Sequence, residues 1–141
     1  MSVFVWIKMA NEAVIIELFN GGRPIRFTVA DGAGIAKGTI MEMTDPRTVI
    51  ANTNDNAPLA GIAAAEKVAN DGSTTLAVYT DGIFDILTDS GTDTVGAMVA
   101  NSATENKMQT ADATDLLQGS VLGKLLETAG NAEVAAVRVN L

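Results

Sequence analysis

The sequence predicts an all-β fold: a small β-barrel-like or sandwich-like domain with two related β-units and at most one or two short helices. Short apolar or alternating runs are separated by turn signals about every ten residues. Glycine supplies 13 of the 141 residues, as expected for many turns and close backbone approaches. One strand–turn–strand pattern occurs twice. A chain of this length is large enough to bury one core unaided.

The repeated pattern is an apolar strand broken by one glycine, then a polar link, a turn and a second apolar strand. Val78 of the first copy and Val139 of the second are placed in matching positions. The copies run from Leu59-Ala60-Gly61-Ile62-Ala63 to Leu76-Ala77-Val78-Tyr79, and from Val121-Leu122-Gly123-Lys124-Leu125 to Val134-Ala135-Ala136-Val137-Arg138-Val139.

Turn residues predict the strand pairs in order. Residues 12–19 and 25–29 are predicted to pair across a Gly-Gly turn, and residues 37–43 and 48–51 across the turn at residues 44–47. Asp81-Gly82 predicts a two-residue hairpin between residues 76–80 and 83–87, since such turns need positive φ at both positions. Residues 95–100, 120–127 and 134–139 supply the remaining strands.

Two segments are compatible with helix as well as strand. Residues 57–70 are alanine-rich, and we expect a strand through Gly61 with at most one helical turn at 65–69. Residues 113–118 favour a short helix capped by Asp112 or Thr110. Residues 116–126 also read as one helix containing two glycines. Each glycine costs about 1 kcal/mol in a helix interior, so a strand with a bulge at Gly123 is preferred.

Composition excludes several kinds of site. The formal net charge of −8 opposes binding to nucleic-acid phosphates and anionic membranes. The sequence has no cysteine and no histidine, which removes disulfides, thiolate chemistry, zinc–sulfur sites and the commonest general base. No apolar run is long enough for a membrane span, and the first residues lack the basic region of a signal peptide. We therefore expect no catalytic residue, no cofactor and no metal.

Two acidic or amide-rich loops leave a calcium site open as an alternative. Calcium takes six to eight oxygen ligands, and these loops supply carboxylate and amide oxygens without the EF-hand pattern. The other interpretation is solvated turns stabilised by side-chain hydrogen bonds. The residues concerned are Asn52, Asn54, Asp55 and Asn56 in one loop, and Asp85, Asp89 and Asp93 in the other.

The N-terminus is predicted to be an arm or edge strand over residues 1–11, preceding a single β-rich domain over residues 12–141. Its apolar residues would lie on both faces of an extended strand, and the single Trp of the chain is among them. Such a strand is either buried inside a sheet or docks on a neighbour, with aromatic residues as anchors. The candidate interface residues are Val3, Phe4, Val5, Trp6 and Ile7.

Five motifs share a rhythm of glycines and short strands: Gly34-Ile35-Ala36-Lys37-Gly38-Thr39-Ile40-Met41, Thr44-Asp45-Pro46-Arg47-Thr48-Val49, Ala60-Gly61-Ile62-Ala63, Tyr79-Thr80-Asp81-Gly82-Ile83-Phe84-Asp85, and Gly119-Ser120-Val121-Leu122-Gly123-Lys124-Leu125-Leu126-Glu127 with residues 134–139. In these motifs the chain resembles the capsid decoration (cement or head-stabilising) proteins of tailed bacteriophages and related viruses. The resemblance covers about residues 12–141 and excludes the first eight residues.

The resemblance implies a β-rich virion structural protein with no enzymatic activity. Such proteins are made in the host cytoplasm, lie on the outer surface of an icosahedral capsid, commonly as homotrimers, and bridge major capsid protein subunits. Many weak contacts repeated over a lattice would strengthen the shell. No direct nucleic-acid or membrane partner is expected.

Two other functions remain open from the sequence. One is a different virion β-module, such as a tail, fibre or glycan-binding head protein. The other is a hydrolase with an acidic or metal-assisted site, which would depend on Asp85, Asp89 or Asp93.

Overall fold

A computed structural model of the chain describes residues 11–19, 22–89 and 93–141. This part contains eleven strands and one short helix, α1 (Ala113–Gln118), so the predicted all-β class is confirmed. The strands are β1 (Val14–Glu17), β2 (Ile25–Thr28), β3 (Ile40–Asp45), β4 (Thr48–Ala51), β5 (Leu59–Ala63), β6 (Thr75–Tyr79), β7 (Asp81–Thr88), β8 (Met98–Asn101), β9 (Lys107–Thr110), β10 (Val121–Leu125) and β11 (Val134–Asn140).

The strands form two closed barrels that follow each other along the chain. Barrel 1 has the strand order β2-β4-β3-β5-β6, and β6 pairs with β2 to close it. Barrel 2 has the order β7-β11-β10-β8-β9, and β9 pairs with β7 to close it. Strand β1 is added to barrel 2, where it pairs with residues 83–85 in the middle of β7.

The two barrels repeat the same five-strand topology, which confirms the two related β-units. Each is closed by one parallel pair, β2–β4 in barrel 1 and β7–β9 in barrel 2, while the other ladders are antiparallel. The register matches Gly61 with Gly123. It also matches Val78 with Val137, because these valines face Ala63 and Leu125 respectively. The sequence match of Val78 to Val139 is therefore out of register.

Each barrel is filled by the side chains that alternate inward along its strands. The eight residues of β7 alternate regularly between half-buried and buried, the period expected for a strand with one face in a core. The residues inside barrel 1 are Phe27, Val29, Ile35, Met41, Val49, Ala60, Ala63, Leu76 and Val78.

A second apolar cluster fills barrel 2 and continues across its boundary with barrel 1. Ile40 and Ile62 of barrel 1 are fully buried in the same cluster as Phe84 of barrel 2. The rings of Tyr79 and Phe84 lie 6.0 Å apart between centroids. Ile15 of β1 packs against this cluster from the side. The part of the outer face of barrel 1 around Ile40 and Ile62 is thus covered by barrel 2 and β1 together.

One predicted hairpin is confirmed and one is wrong. β3 and β4 pair across the turn at residues 46–47, as expected. β1 and β2 do not pair with each other, because both edges of β2 are used inside barrel 1, by β6 and β4. β1 pairs instead with β7, with Ile15 opposite Phe84.

The predicted hairpin at Asp81-Gly82 is also wrong. β6 and β7 are strands, but they belong to different barrels, and both turn residues lie inside β7 opposite Asn140 and Val139. Gly82 has φ 137°, and an added Cβ would lie 2.9 Å from the Phe84 ring and 3.1 Å from the Glu17 carbonyl oxygen. The glycine allows close packing between β1 and β7 rather than a turn.

The remaining local predictions agree with the structure. Helix α1 begins after Asp112, whose side chain accepts a hydrogen bond from the Asp115 N–H, and it ends at Gly119. Strand β5 runs through Gly61, residues 65–69 contain no helix, and β10 changes register between Val121 and Gly123. Strand β9 was not predicted.

Candidate functional site

The predicted interface residues Val3, Phe4, Val5, Trp6 and Ile7 lie outside the described residues. The division into an arm and a single domain therefore stays a prediction. The structure describes where the arm joins the barrels. The Ala13 N–H donates a hydrogen bond of 2.7 Å to the Gly38 carbonyl, which fixes the chain against barrel 1 immediately before β1.

Strand β1 is an edge strand that carries exposed apolar side chains. Within the part of the chain that the structure describes, β1 pairs with β7 alone. Val14 and Ile16 are 61% and 51% exposed, and both are β-branched residues suited to an extended partner. An edge of this kind can accept a further strand.

Between β1 and barrel 1 lies a groove, called groove 1, with a volume of about 480 Å³. Most of its lining residues are apolar, and the lining also includes one cation and one carboxylate. The lining residues are Glu12, Ala13, Val14, Ile15, Lys37, Gly38, Ile62 and Ala63. Groove 1 therefore lies where the N-terminal arm enters the described structure.

Barrel 2 carries a second groove, called groove 2, with a volume of about 300 Å³. It combines exposed apolar side chains with two cations, and it is lined by Met98, Gly123, Lys124, Leu126, Arg138 and Asn140. Arg138 also stacks on Phe19, with the guanidinium carbon 5.4 Å from the ring centroid. The sequence analysis did not single out groove 2. Its residues come from three strands and the segment after β10, so no local sequence signal indicates it.

In the amide-rich loop after β4, Asn52 points inward, whereas Asn54, Asp55 and Asn56 are exposed and the Asn56 N–H donates to Asp55 Oδ1. Asn52 is buried, and its Nδ2 donates to Glu42 Oε2 at 2.8 Å and to the Asn54 carbonyl at 2.9 Å. Asn101 of barrel 2 donates to Asn52 Oδ1 at 3.0 Å and also to the Asn54 carbonyl. These oxygens join the two barrels.

The second acidic set is dispersed. Asp85 lies in β7, opposite Val14. Asp89 accepts a hydrogen bond from the Thr104 hydroxyl at 3.3 Å, and the buried Asp93 accepts one from the Thr110 hydroxyl. Among the described residues, no three His, Cys, Asp or Glu side chains are grouped so as to hold a metal ion.

The buried Lys67 of barrel 1 holds two loops together. Lys67 is buried, and its Nζ donates to Asp71 Oδ1 at 3.0 Å and to the Asp31 carbonyl at 2.8 Å. The pKa of Asp71 lies below its ordinary value of 3.8, chiefly because the Ser73 N–H donates to its carboxylate and secondly because Lys67 does. These ionised groups tie the loop at residues 67–73 to the loop at Asp31.

The described surface thus combines an open strand edge at β1 with two grooves that are lined by apolar and charged side chains. No helix in the described part of the chain is long and apolar enough to cross a membrane. No protein-family model matches the chain, and no curated protein is significantly similar to it.

Proposed function

We propose that this chain is a virion structural protein that binds the outer surface of an icosahedral capsid. It stabilises the shell by bridging major-capsid subunits and acts as a homo-oligomer, with three copies at each position. It is not an enzyme. Its surface charge suits an exterior protein, because the net charge of −8 favours solubility of the particle.

The observation that carries the proposal is the apolar arm that leads into an edge strand with exposed apolar side chains. Residues 3–7 are all apolar, and Val14 and Ile16 follow on β1. Single exposed apolar residues are common, but a terminal apolar segment joined to an open strand edge is suited to strand addition.

The motifs that carry the sequence resemblance give further support. Gly38, Gly61 and Gly123 belong to these motifs, and all three have positive φ at points where backbone from another strand or segment approaches closely. Such positions are demanding for the fold, so the resemblance extends to residues that the barrels require.

The test is quantitative mass spectrometry of particles purified from the source, counting this chain against the major capsid protein. We expect a ratio near one, as for a protein that occupies the shell lattice. A few copies per particle would support a tail, fibre or vertex component instead. Absence from particles would overturn the proposal.

A further inference from the structure

Two equivalent glycines have different surroundings in the two barrels. Gly38 and Gly96 precede β3 and β8 and have nearly the same φ, 91° and 86°. Their N–H groups make the same hydrogen bond, to Ala63 in barrel 1 and to Leu125 in barrel 2, both near 2.8–2.9 Å. The glycines therefore occupy the same place in the repeated topology.

In barrel 1 this place is covered by an extended segment. A Cβ added to Gly38 would overlap the Ala13 carbonyl oxygen and lie 3.0 Å from the Glu12 side chain. In barrel 2, no described atom lies within 4 Å of a Cβ added to Gly96. The segment that crosses barrel 1 thus has no counterpart on barrel 2 among the described residues.

Exposed apolar side chains follow and precede the uncovered Gly96 in the chain: Val95 is 56% exposed and Met98 is 44% exposed. Groove 2 begins at Met98, and Leu126, which is 42% exposed, lines it together with Lys124 and Arg138. The counterpart of Met98 in barrel 1 is Ile40, which is fully buried by barrel 2 and β1. A cluster of exposed apolar residues in a groove indicates a binding surface.

The N-terminal arm has the chemistry to fill groove 2. Its apolar side chains match Val95, Met98 and Leu126, and its aromatic rings suit the cations of Lys124 and Arg138. Arg138 already makes such a contact with Phe19. Four residue steps separate Ile7 from Asn11, at most about 14 Å when extended, so the receiving groove must lie beside the start of the arm in the neighbouring copy.

We propose that groove 2 of one copy binds residues 3–7 of a second copy. The arm leaves its own chain beside Gly38 of barrel 1, whereas the receiving groove is on barrel 2. Each copy then gives one arm and receives one, a head-to-tail contact that closes into a ring when the rotation permits. The identity of the oligomer as a capsid component rests on the proposed function, but the contact itself does not.

The absence of cysteine allows a direct test by disulfide cross-linking of the full chain. Copies carrying Val5→Cys are mixed with differently tagged copies carrying Met98→Cys and oxidised, both in solution and on particles. We expect a disulfide between the two tagged chains. In the control, Val68→Cys replaces Met98→Cys. Val68 lies on barrel 1 and is 51% exposed, so this pair should give little disulfide-linked product.

A second measurement tests the groove without cross-linking. Met98→Asp should raise the dissociation constant of self-association at least tenfold, because docking of the arm would bury the new carboxylate. Val68→Asp should leave this constant unchanged. Sedimentation velocity measures both. A chain that carries both Val5→Cys and Met98→Cys tests whether the arm binds its own groove. If a disulfide forms only inside one such chain, or if no specific product forms in solution or on particles, the proposal is overturned. Cross-linked copies that are absent from particles would contradict the proposed function while leaving the arm–groove contact in place.

Discussion

Gly61 and Gly123 show how single residues set the geometry of both barrels. An added Cβ at Gly123 would overlap the Arg138 carbonyl oxygen, and one at Gly61 would overlap that of Tyr79. Both have φ near 150° and lie where neighbouring strands approach closely. These obstacles are backbone atoms, so they cannot move aside as a flexible side chain would.

Gly123→Ala should therefore destabilise the protein by about 3 kcal/mol, since the clash requires β10 and β11 to separate. Urea denaturation followed by circular dichroism measures the loss. Gly32→Ala is the matched control, because its nearest neighbour is a side-chain oxygen of Asn70 at 3.8 Å. It should change stability by less than about 0.5 kcal/mol. Equal effects of the two substitutions would refute the close-approach argument.

The Asp71 carboxylate predicts a pH dependence of stability. Its pKa is lower in the folded chain than the ordinary value of 3.8, so folding favours the ionised form. The stabilisation is fully present above that value and is lost as pH falls through the folded pKa. Asp71→Asn should thus be less stable than the parent at pH 7, and the difference should vanish in strong acid.

Thermal denaturation from pH 7 to pH 2 measures this difference. Asp45→Asn removes the same charge from an exposed position at the end of β3 and serves as the control. A gap between Asp71→Asn and the parent that persists unchanged at pH 2 would contradict the assignment.

At the scale of elements, turn and cap residues predicted the structure correctly where a strand pairs with the next strand along the chain or where a helix begins. The Asp45-Pro46 turn fixes β3 against β4, and Asp112 caps α1. The partners of β1 and β7 depend on closure of separate barrels, which nearby turn residues do not encode. Strand β9 has a single fully buried apolar side chain, Met108, so its hydrophobic pattern is weak. Its correspondence to β4 in the repeat is the stronger signal.

Of the candidate site, one part could be predicted from the sequence and the other could not. The apolar arm is visible in the sequence because five apolar residues occur together. Groove 2 is not visible in the sequence, since Met98 and Leu126 become neighbours only when β8 and β10 pair. The difference between Gly38 and Gly96 depends on where Ala13 lies, which is a tertiary contact.

Deleting residues 1–8 should weaken binding to particles while the barrels stay folded. β1 remains anchored through the Ala13–Gly38 hydrogen bond and its pairing with β7. Co-sedimentation with particles that lack the protein measures binding, and circular dichroism checks folding. Phe4→Ala/Trp6→Ala should reproduce most of the loss, whereas Ser2→Ala should not. Equal binding by the truncated chain, or an unfolded product, would contradict the role of the arm.

At the scale of the whole molecule, the barrels share one apolar cluster and one set of hydrogen bonds between them, called the joint. Phe84 of barrel 2 is buried with Ile40 and Ile62 of barrel 1. Asn101 of barrel 2 bonds to Asn52 of barrel 1, and the Ile40 N–H donates to Asn106 Oδ1 at 2.9 Å. Separating the barrels would expose the apolar side chains of this shared cluster to water, which costs about 25 cal/mol for each Å² exposed, and would break the hydrogen bonds between the barrels.

We therefore expect the chain to unfold as a single unit, even though its topology is a duplication. Differential scanning calorimetry should give one transition whose calorimetric enthalpy equals the van't Hoff enthalpy. A fragment of residues 80–141 retains all five strands of barrel 2 but loses the cover over Phe84, so it should not melt cooperatively as a monomer. Asn101→Ala weakens only the joint and should lower the melting temperature without splitting the transition. Two separate transitions in the full chain, or a stably folded fragment, would show that each barrel is an independent domain.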